Sequence, residues 1–367
     1  MPDTVESAAA PDTRARYDAE ALRAYTAGVF QHFGIPAADA HKGADVLIDA
    51  DLAGIESHGI AHLPWHPGYA PGLKRGIVDP NPDIKVFRDS PVAASWDGGG
   101  GVGVIIGPRA MEACIEKAQA TGIGMITVSN GRHFGAAGYY AHMAAKQDMI
   151  GMAMCNVPPI AAAAGGIERV YGTNPIAMGA PVEDDHPFLL DIATTAVAGG
   201  KLEIAMRQGR QIPPGWAIDA AGNDTDDPSI LRQGGALLPL GSRSDTSAHK
   251  GYGLGLMVDI LSGVLGGAGS GLFTDRSLLV QGYWFAAWRI DAFRDIGEFK
   301  AEMKRVVDHI RATRPQAGHE SVLIPGDPEA MQRAIREEQG IPLDQETIDQ
   351  LTELGKETGV PFPAPVG

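Results

Sequence analysis

The sequence predicts an α/β or α+β fold with helices concentrated toward both ends of the chain. Three observations carry that expectation. Apolar residues recur at helical spacing near the N-terminus and again beyond residue 295, while short apolar runs of strand length fill the middle. Strands and helices intermix there, as they do in sheets covered by helices. The stretch 209–250 carries turn chemistry instead, which interrupts regular alternation.

Residues 1–16, rich in Ala, Pro and Asp, read as a mobile tail. Leu22, Tyr25, Val29, Phe30 and Phe33 then follow a helical period that Gly34 stops. Pro36 is suited to start a second helix, with Ala40, Ala44, Leu47 and Ile48 on its apolar face and an end near Gly54. The segment 56–62 follows, then a Pro/Gly-rich stretch over 64–82. A strand at 92–96, a glycine run at 98–103 and a helix at 108–120 lead into an apolar strand at 123–128. A helix over 136–147 and a buried strand over 150–155 come next. Further strands are expected at 176–180, 188–192 and 278–287, and further helices at 196–207 and 251–265. Residues 295–313 form an amphipathic candidate. Asp327 reads as an N-cap with Pro328 at the first helical position and Gly340 as the stop; Asp344 caps a last helix reaching Leu354.

A length of 367 residues suits about two domains and a core that needs no disulfide staples. The net charge of −15 excludes sequence-independent binding to nucleic-acid backbones, which needs a basic face. No apolar run approaches the roughly 20 residues of a membrane span, and no basic segment followed by an apolar one marks a secretory signal. Cys114 and Cys155 have neither CxxC nor disulfide-framework spacing, so both read as core fillers in a reduced, cytoplasmic setting.

The glycine run fits GxGxxG, but the following strand ends at Val128-Ser129-Asn130 without the carboxylate that a dinucleotide fingerprint needs for the ribose. A tight strand-to-helix turn is the better reading. His58, His62 and His66 are spaced as metal ligands on a helix would be, yet Gly59 and Pro64 interrupt that span. His58 lies where a helix gives way to a loop, beside Ser57, and imidazole exchanges protons near neutral pH. His133 opens a small-residue loop running into a helix, whose N-terminal amides suit an anion. Asp191 to Thr195 end an apolar strand, placing a carboxylate and the hydroxyls of Thr194 and Thr195 at an expected mouth of the sheet. Gly172 to Pro175 precede a strand, and Lys250-Gly251 open a helix with a cation at its start. Singly, each is ordinary turn or cap chemistry. Together they describe a cleft suited to a phosphate-bearing cofactor.

These segments stand in a fixed order: SHG at 57–59, HFGAAGYYA at 133–141, YGTNP at 171–175 and LDIATTAVAGGK at 190–201. IPPGWAIDAAG at 212–222, LLPLG at 237–241, HKGYGLGLMVDILSGVL at 249–265 and IPGDPE at 324–329 follow. In this order they resemble the malate/L-lactate dehydrogenase family of NAD(P)-dependent 2-oxoacid oxidoreductases, which is distinct from the Rossmann lactate and malate dehydrogenases. The resemblance implies a non-Rossmann cofactor domain with a mixed, largely antiparallel sheet over 121–290. It also implies a second domain assembled from 17–120 and 291–367, a homodimer, and a small-molecule substrate with NAD or NADP as cofactor. Carried over, His58 is the proton donor and acceptor with Ser57 assisting, although some members point to the histidine matching His133. His133, Phe134, Gly135, Ala136, Ala137, Asp191, Ile192, Ala193, Thr194, Lys250, Gly251, Pro325 and Gly326 match cofactor contacts, and Thr173 a substrate contact.

One position departs from the pattern. Members often carry Arg four residues after the SHG histidine, facing the substrate carboxylate; here it is His62. Arg offers a fixed, permanently charged two-pronged donor and His does not. Arg132 or Lys74 would then hold the carboxylate, or the substrate differs from malate and lactate. The competing expectations are a metal-dependent hydrolase or lyase using His58, His62 and His66, a cyclic-imine reductase of the same family, and a relative that binds cofactor without turnover.

Overall fold

The computed structural model describes residues 12–274 and 277–366. Most of the expected tail, residues 1–11, lies outside them. The rest of that tail is ordered: Arg14 pairs with Glu56 at 2.8 Å, and Ala15–Tyr17 forms an antiparallel ladder with Ile341–Leu343. Both ends of the chain therefore meet early.

The helix Ala19–His32 is capped by the Asp18 carboxylate, which accepts from Ala21 N at 2.8 Å. Its apolar stripe packs on that of Ala37–Leu52. Leu22, Phe30, Leu47 and Ile48 share one core with Ile341, Leu343, Leu351 and Leu354 from the last strand and helix. Apolar periodicity at the two termini thus serves one hydrophobic cluster.

The central sheet has seven strands, in the spatial order Lys85–Asp89, Ala93–Asp97, Ile123–Gly131, Gln281–Arg289, Met149–Asn156, Ile176–Ala180, Phe188–Ile192. Only Ala93–Asp97 and Ile123–Gly131 run parallel, joined by the helix Gly103–Thr121; the other five pairings are antiparallel. The mixed, largely antiparallel sheet is as expected. A separate four-stranded sheet gathers the short strands Ala161–Ala162, Arg169–Tyr171, Ala217–Ile218 and Ala236–Leu237, giving the turn-rich 209–250 stretch its anchor.

The glycine run is not a phosphate loop. The Gly103–Thr121 helix starts five residues earlier than its sequence signal, and a Cβ on Gly103 would lie 2.4 Å from the carbonyls of both Arg132 and His133. The space where a pyrophosphate would meet the helix N-terminus is filled by backbone. Gly100, at φ 73°, lies against the Arg132 guanidinium, whose donors reach the carbonyls of Ile77 and Gly131 at 3.1 and 3.0 Å.

Two local expectations shift. The helix Asp327–Gln339 is preceded by Gly326 at φ 105°, and the Asp327 carboxylate reaches back to Ile324 N at 2.8 Å instead of capping forward. The helix at 251–265 begins at Ala248 and passes after Val258 into a π-helical segment, Asp259–Val264. Cys114 and Cys155 are both buried. Among the described residues, no helix is long and apolar enough to cross a membrane.

Candidate active site

The site begins where Ala37–Leu52 ends. Asp51, 1% exposed, accepts from Ile60 N through Oδ2 at 2.7 Å, and its Oδ1 lies where a Cβ on Gly59 would approach to 1.8 Å. Burial pushes this carboxyl up to about 7, while the Ile60 amide bond and Arg336 oppose the shift. Two tight turns, Glu56–His58 and Ile60–His62, are thereby strapped over a buried acid, and only glycine fits between them. Glu56 also pairs with Arg336 at 2.7 Å, tying the loop to the C-terminal segment. His58 projects from a rigid corner.

The corner faces a second segment, 75 positions on in the chain. The His133 ring stacks against His58 at 5.6 Å and 20° and against His62 at 5.4 Å and 11°, and it meets His66 at 4.5 Å. Ser57 Oγ is 2.9 Å from His58 Nδ1, and the Tyr69 hydroxyl is 2.6 Å from His133 Nδ1. All four imidazoles are half-buried. Burial holds His58 and His66 down to about 4, the latter with a smaller push from His58. His133 is held well below 6.5 by burial and then by the other three rings. His58, His66 and His133 are thus held toward the neutral form at physiological pH.

Stacked rings carry their nitrogen lone pairs in nearly parallel planes, so the lone pairs do not converge on one ion. Among the described residues no group of three or more His, Cys, Asp or Glu is arranged to hold a metal. In the spacing of His58, His62 and His66 the first two rings stack, at 6.0 Å and 29°, and His66 is tilted 56° to His62.

The other half of the site is reached along the same backbone. Five residues beyond His133, Gly138 N donates to Asp191 Oδ2 at 2.7 Å. The anion at the start of the helix Ala137–Ala145 is thus the chain's own carboxylate. Asp191 ends the strand Phe188–Ile192, and burial pushes it up to about 6 against the pull of the Gly138 bond. The Pro325-Gly326 turn lies on the same strand, Leu189 N donating to Pro325 O at 3.0 Å. Thr194 is linked through Leu240 N, which donates to Thr194 O, to the start of the helix Ala248–Val258, where Gly251 abuts Leu240 and Lys250 is exposed. The structure therefore brings Ser57, His58, His62 and His133 together, and Asp191 together with the 325–326 turn.

Other expected residues are placed differently. Arg132 is 4% exposed beneath the glycine run, its guanidinium bonded to backbone carbonyls, so no fork faces the imidazoles. Lys74 pairs with Glu357 on the last helix. The Phe134 side chain stacks between Tyr140 and Tyr283, both at 5.0 Å, in the sheet core. Ala136 and Ala137 are buried beside it, leaving backbone as the contribution of 134–137. The Thr194 hydroxyl is fully buried against the carbonyls of Thr173 and Asn174, at 3.0 and 3.1 Å, and Thr173 itself is half-buried.

Tyr69 and Asp51 escaped the sequence reading. Tyr69 stands in a Pro/Gly-rich stretch with no periodicity to mark it. Asp51 had a faint signal: an acid one residue before Leu52, in the last turn of an apolar helix.

The sequence model of the malate/L-lactate dehydrogenase family matches residues 17–352. Malate dehydrogenase of Pyrococcus horikoshii is 42% identical over 349 residues, covering 94% of this chain and 96% of the relative. L-sulfolactate dehydrogenase of Methanocaldococcus jannaschii is 39% identical over 337 residues, covering 90% and 94%. The crystal structure of malate dehydrogenase from Entamoeba histolytica superposes with a TM-score of 0.92 at 30% identity, covering 96% of this chain and 100% of that one.

Proposed function

The chain belongs to the malate/L-lactate dehydrogenase family, as a dehydrogenase acting on CH–OH donors, and on that premise we propose that it interconverts a small 2-hydroxy acid and its 2-oxo acid with NAD or NADP. The substrate class is malate-, lactate- or sulfolactate-like. One observation carries the reading: the segment 133–138 runs from the imidazole cluster at one end to the Asp191 carboxylate at the other. Five residues span at most about 18 Å, so a proton-transfer group and a ribose-binding acid lie along one short wall.

The residues present fit a pyridine nucleotide. Among the described residues no donor bonds Asp191 Oδ1, which leaves a carboxylate oxygen to accept from ribose hydroxyls. Lys250, exposed at a helix start, and the backbone of 135–137 and 325–326 are the candidate phosphate contacts. Bound there, the nucleotide would supply a carbon that accepts or donates hydride. The chain's own work is to fix the hydroxyl-bearing carbon, exclude water, and move one proton. His58, neutral and backed by Ser57, takes the hydroxyl proton in oxidation and returns it in reduction.

We further propose one domain from the two ends of the chain and one around the central sheet, with the expected boundary at 120/121 moved to before Lys85 because 85–97 are strands of that sheet, and a cytoplasmic homodimer. The dimer is supported by Ile260, Val264, Leu265 and Phe273, which are 57–83% exposed on and just beyond the π-helical segment. Sedimentation should give a species of twice the 38.5 kDa chain mass, and a lone monomer would remove this part.

The function is tested by a panel of malate, lactate, sulfolactate and their oxo acids with each nucleotide, followed at the nicotinamide absorbance. Turnover of at least one oxo acid is expected. Turnover confined to cyclic imines would replace the substrate class, and none at all would contradict the reading.

A further inference from the structure

Two histidines face the same space, and a single proton has to be moved. Their surroundings differ in one decisive respect. His133 Nδ1 receives the amide of Gly135 at 3.3 Å, and a backbone amide can only donate. The Tyr69 hydroxyl meets the same nitrogen at 2.6 Å. Among the described residues, His58 Nδ1 meets only the Ser57 hydroxyl, which donates or accepts equally well.

The backbone around His133 is fixed as firmly as its ring. The Tyr283 hydroxyl donates to the carbonyl of Arg132, and the Tyr140 hydroxyl donates to the carbonyl of Phe134. All three tyrosines are fully buried. Three hydroxyls therefore hold three successive residues, 132–134, and among them only that of Tyr69 touches the imidazole.

We infer that Tyr69 is a positioning residue that locks His133 with its proton on Nε2, making His133 a hydrogen-bond donor in the cleft and leaving proton transfer to His58. A neutral imidazole carries one N–H, so an Nδ1 that accepts places the hydrogen on Nε2. The charged form, with hydrogens on both nitrogens, would lose the Gly135 and Tyr69 donors and face three neighbouring imidazoles. His133 thus has no lone pair to offer a hydroxyl proton. Its Nε2–H suits the substrate oxygen, whose negative charge grows as hydride adds to the oxo carbon. In oxidation the O–H bond breaks toward His58, the C=O bond forms, and the C–H hydrogen leaves with its electron pair to the nucleotide. This division of labour rests on the dehydrogenase reading, but the tautomer itself does not.

The test is two-bond proton–nitrogen spectroscopy of the full, cofactor-free chain labelled with [15N]histidine, His133 being assigned by its loss in His133→Asn. The expected pattern is a protonated Nε2 and a bare Nδ1, unchanged as pH falls from 9 to 6.5. In Tyr69→Phe only the longer Gly135 bond remains on Nδ1, so a measurable share of the Nδ1-protonated tautomer should appear. kcat should fall about 10- to 100-fold with KM nearly unchanged, the range typical of losing the partner that orients a reactive imidazole. A protonated Nδ1 in the wild-type chain overturns the inference, and so does a Tyr69→Phe protein with unaltered spectrum and kcat. Should Tyr69→Phe fail to fold, the wild-type spectrum decides alone. The expected spectrum in a chain that turns over no hydroxy acid would sink the functional reading and leave the tautomer standing.

Discussion

Replacing His58 with Ala should lower turnover by roughly 10²–10⁴ while changing nucleotide binding little, because the side chain moves a proton and holds no phosphate. Loss of general-base catalysis raises the barrier for the chemical step and leaves the Asp191 half of the site intact. Turnover and fluorescence titration of the nucleotide, measured together, separate the two. The pH profile sharpens the expectation. Burial holds His58 near 4 in the free chain, so the neutral base persists well below its ordinary value of 6.5. The kcat/KM for hydroxy-acid oxidation should therefore stay level as pH falls from 8 to about 5, then drop as His58 protonates. Reduction needs the protonated form and should slow as pH rises. The same depression acts on folding: the stabilisation is complete above pH 6.5 and is lost as pH falls toward 4, because the unfolded chain then binds the proton more readily. Near-normal turnover in His58→Ala would remove His58 from its role.

Gly59→Ala should damage both stability and turnover. The backbone at Gly59, φ −91°, accepts alanine without strain, so the effect is purely steric. The new methyl would lie 1.8 Å from Asp51 Oδ1, and that carboxylate is buried and bonded to Ile60 N. Neither side has room to yield without moving the corner that carries His58. Overpacking of this kind costs about 1–3 kcal/mol. A displacement of about 1 Å at a reacting group costs up to roughly 10² in rate. Thermal unfolding and steady-state kinetics on the same sample check both, and a variant indistinguishable from wild type would mean that the strap does not set the position of His58.

Much of the fold was legible where a residue's role is local. Leu22, Val29 and Phe30, and Ala44, Leu47 and Ile48, are all buried on the faces their spacing marks. Asp344 does cap the last helix, accepting from Thr347 N at 2.9 Å. Pairing was not legible. The strand Gln281–Arg289 inserts between Ile123–Gly131 and Met149–Asn156, which lie more than 120 residues earlier, and no periodicity encodes that neighbour. The same limit governs the site. Ser57-His58-Gly59 and His133 were visible as polar groups in loops, whereas their stacking depends on the packing of two distant segments. Arg132 misled because its charge suggested a carboxylate partner, while the fold buries it among carbonyls beneath four glycines. Thr194 misled in the same way, a polar group at a strand end that the fold uses to bind its own backbone.

The central claim is that the imidazole corner faces the nicotinamide ring. It is tested most directly by a crystal structure of the chain with oxidised nucleotide and a non-reacting 2-oxo acid analogue. The reactive carbon of the ring is expected within about 3–3.5 Å of the analogue's central carbon. His58 should lie in hydrogen-bond reach of its oxygen, and Asp191 on the ribose. A nicotinamide ring lodged away from His58 and His133, with the analogue bound beside it, would contradict the account.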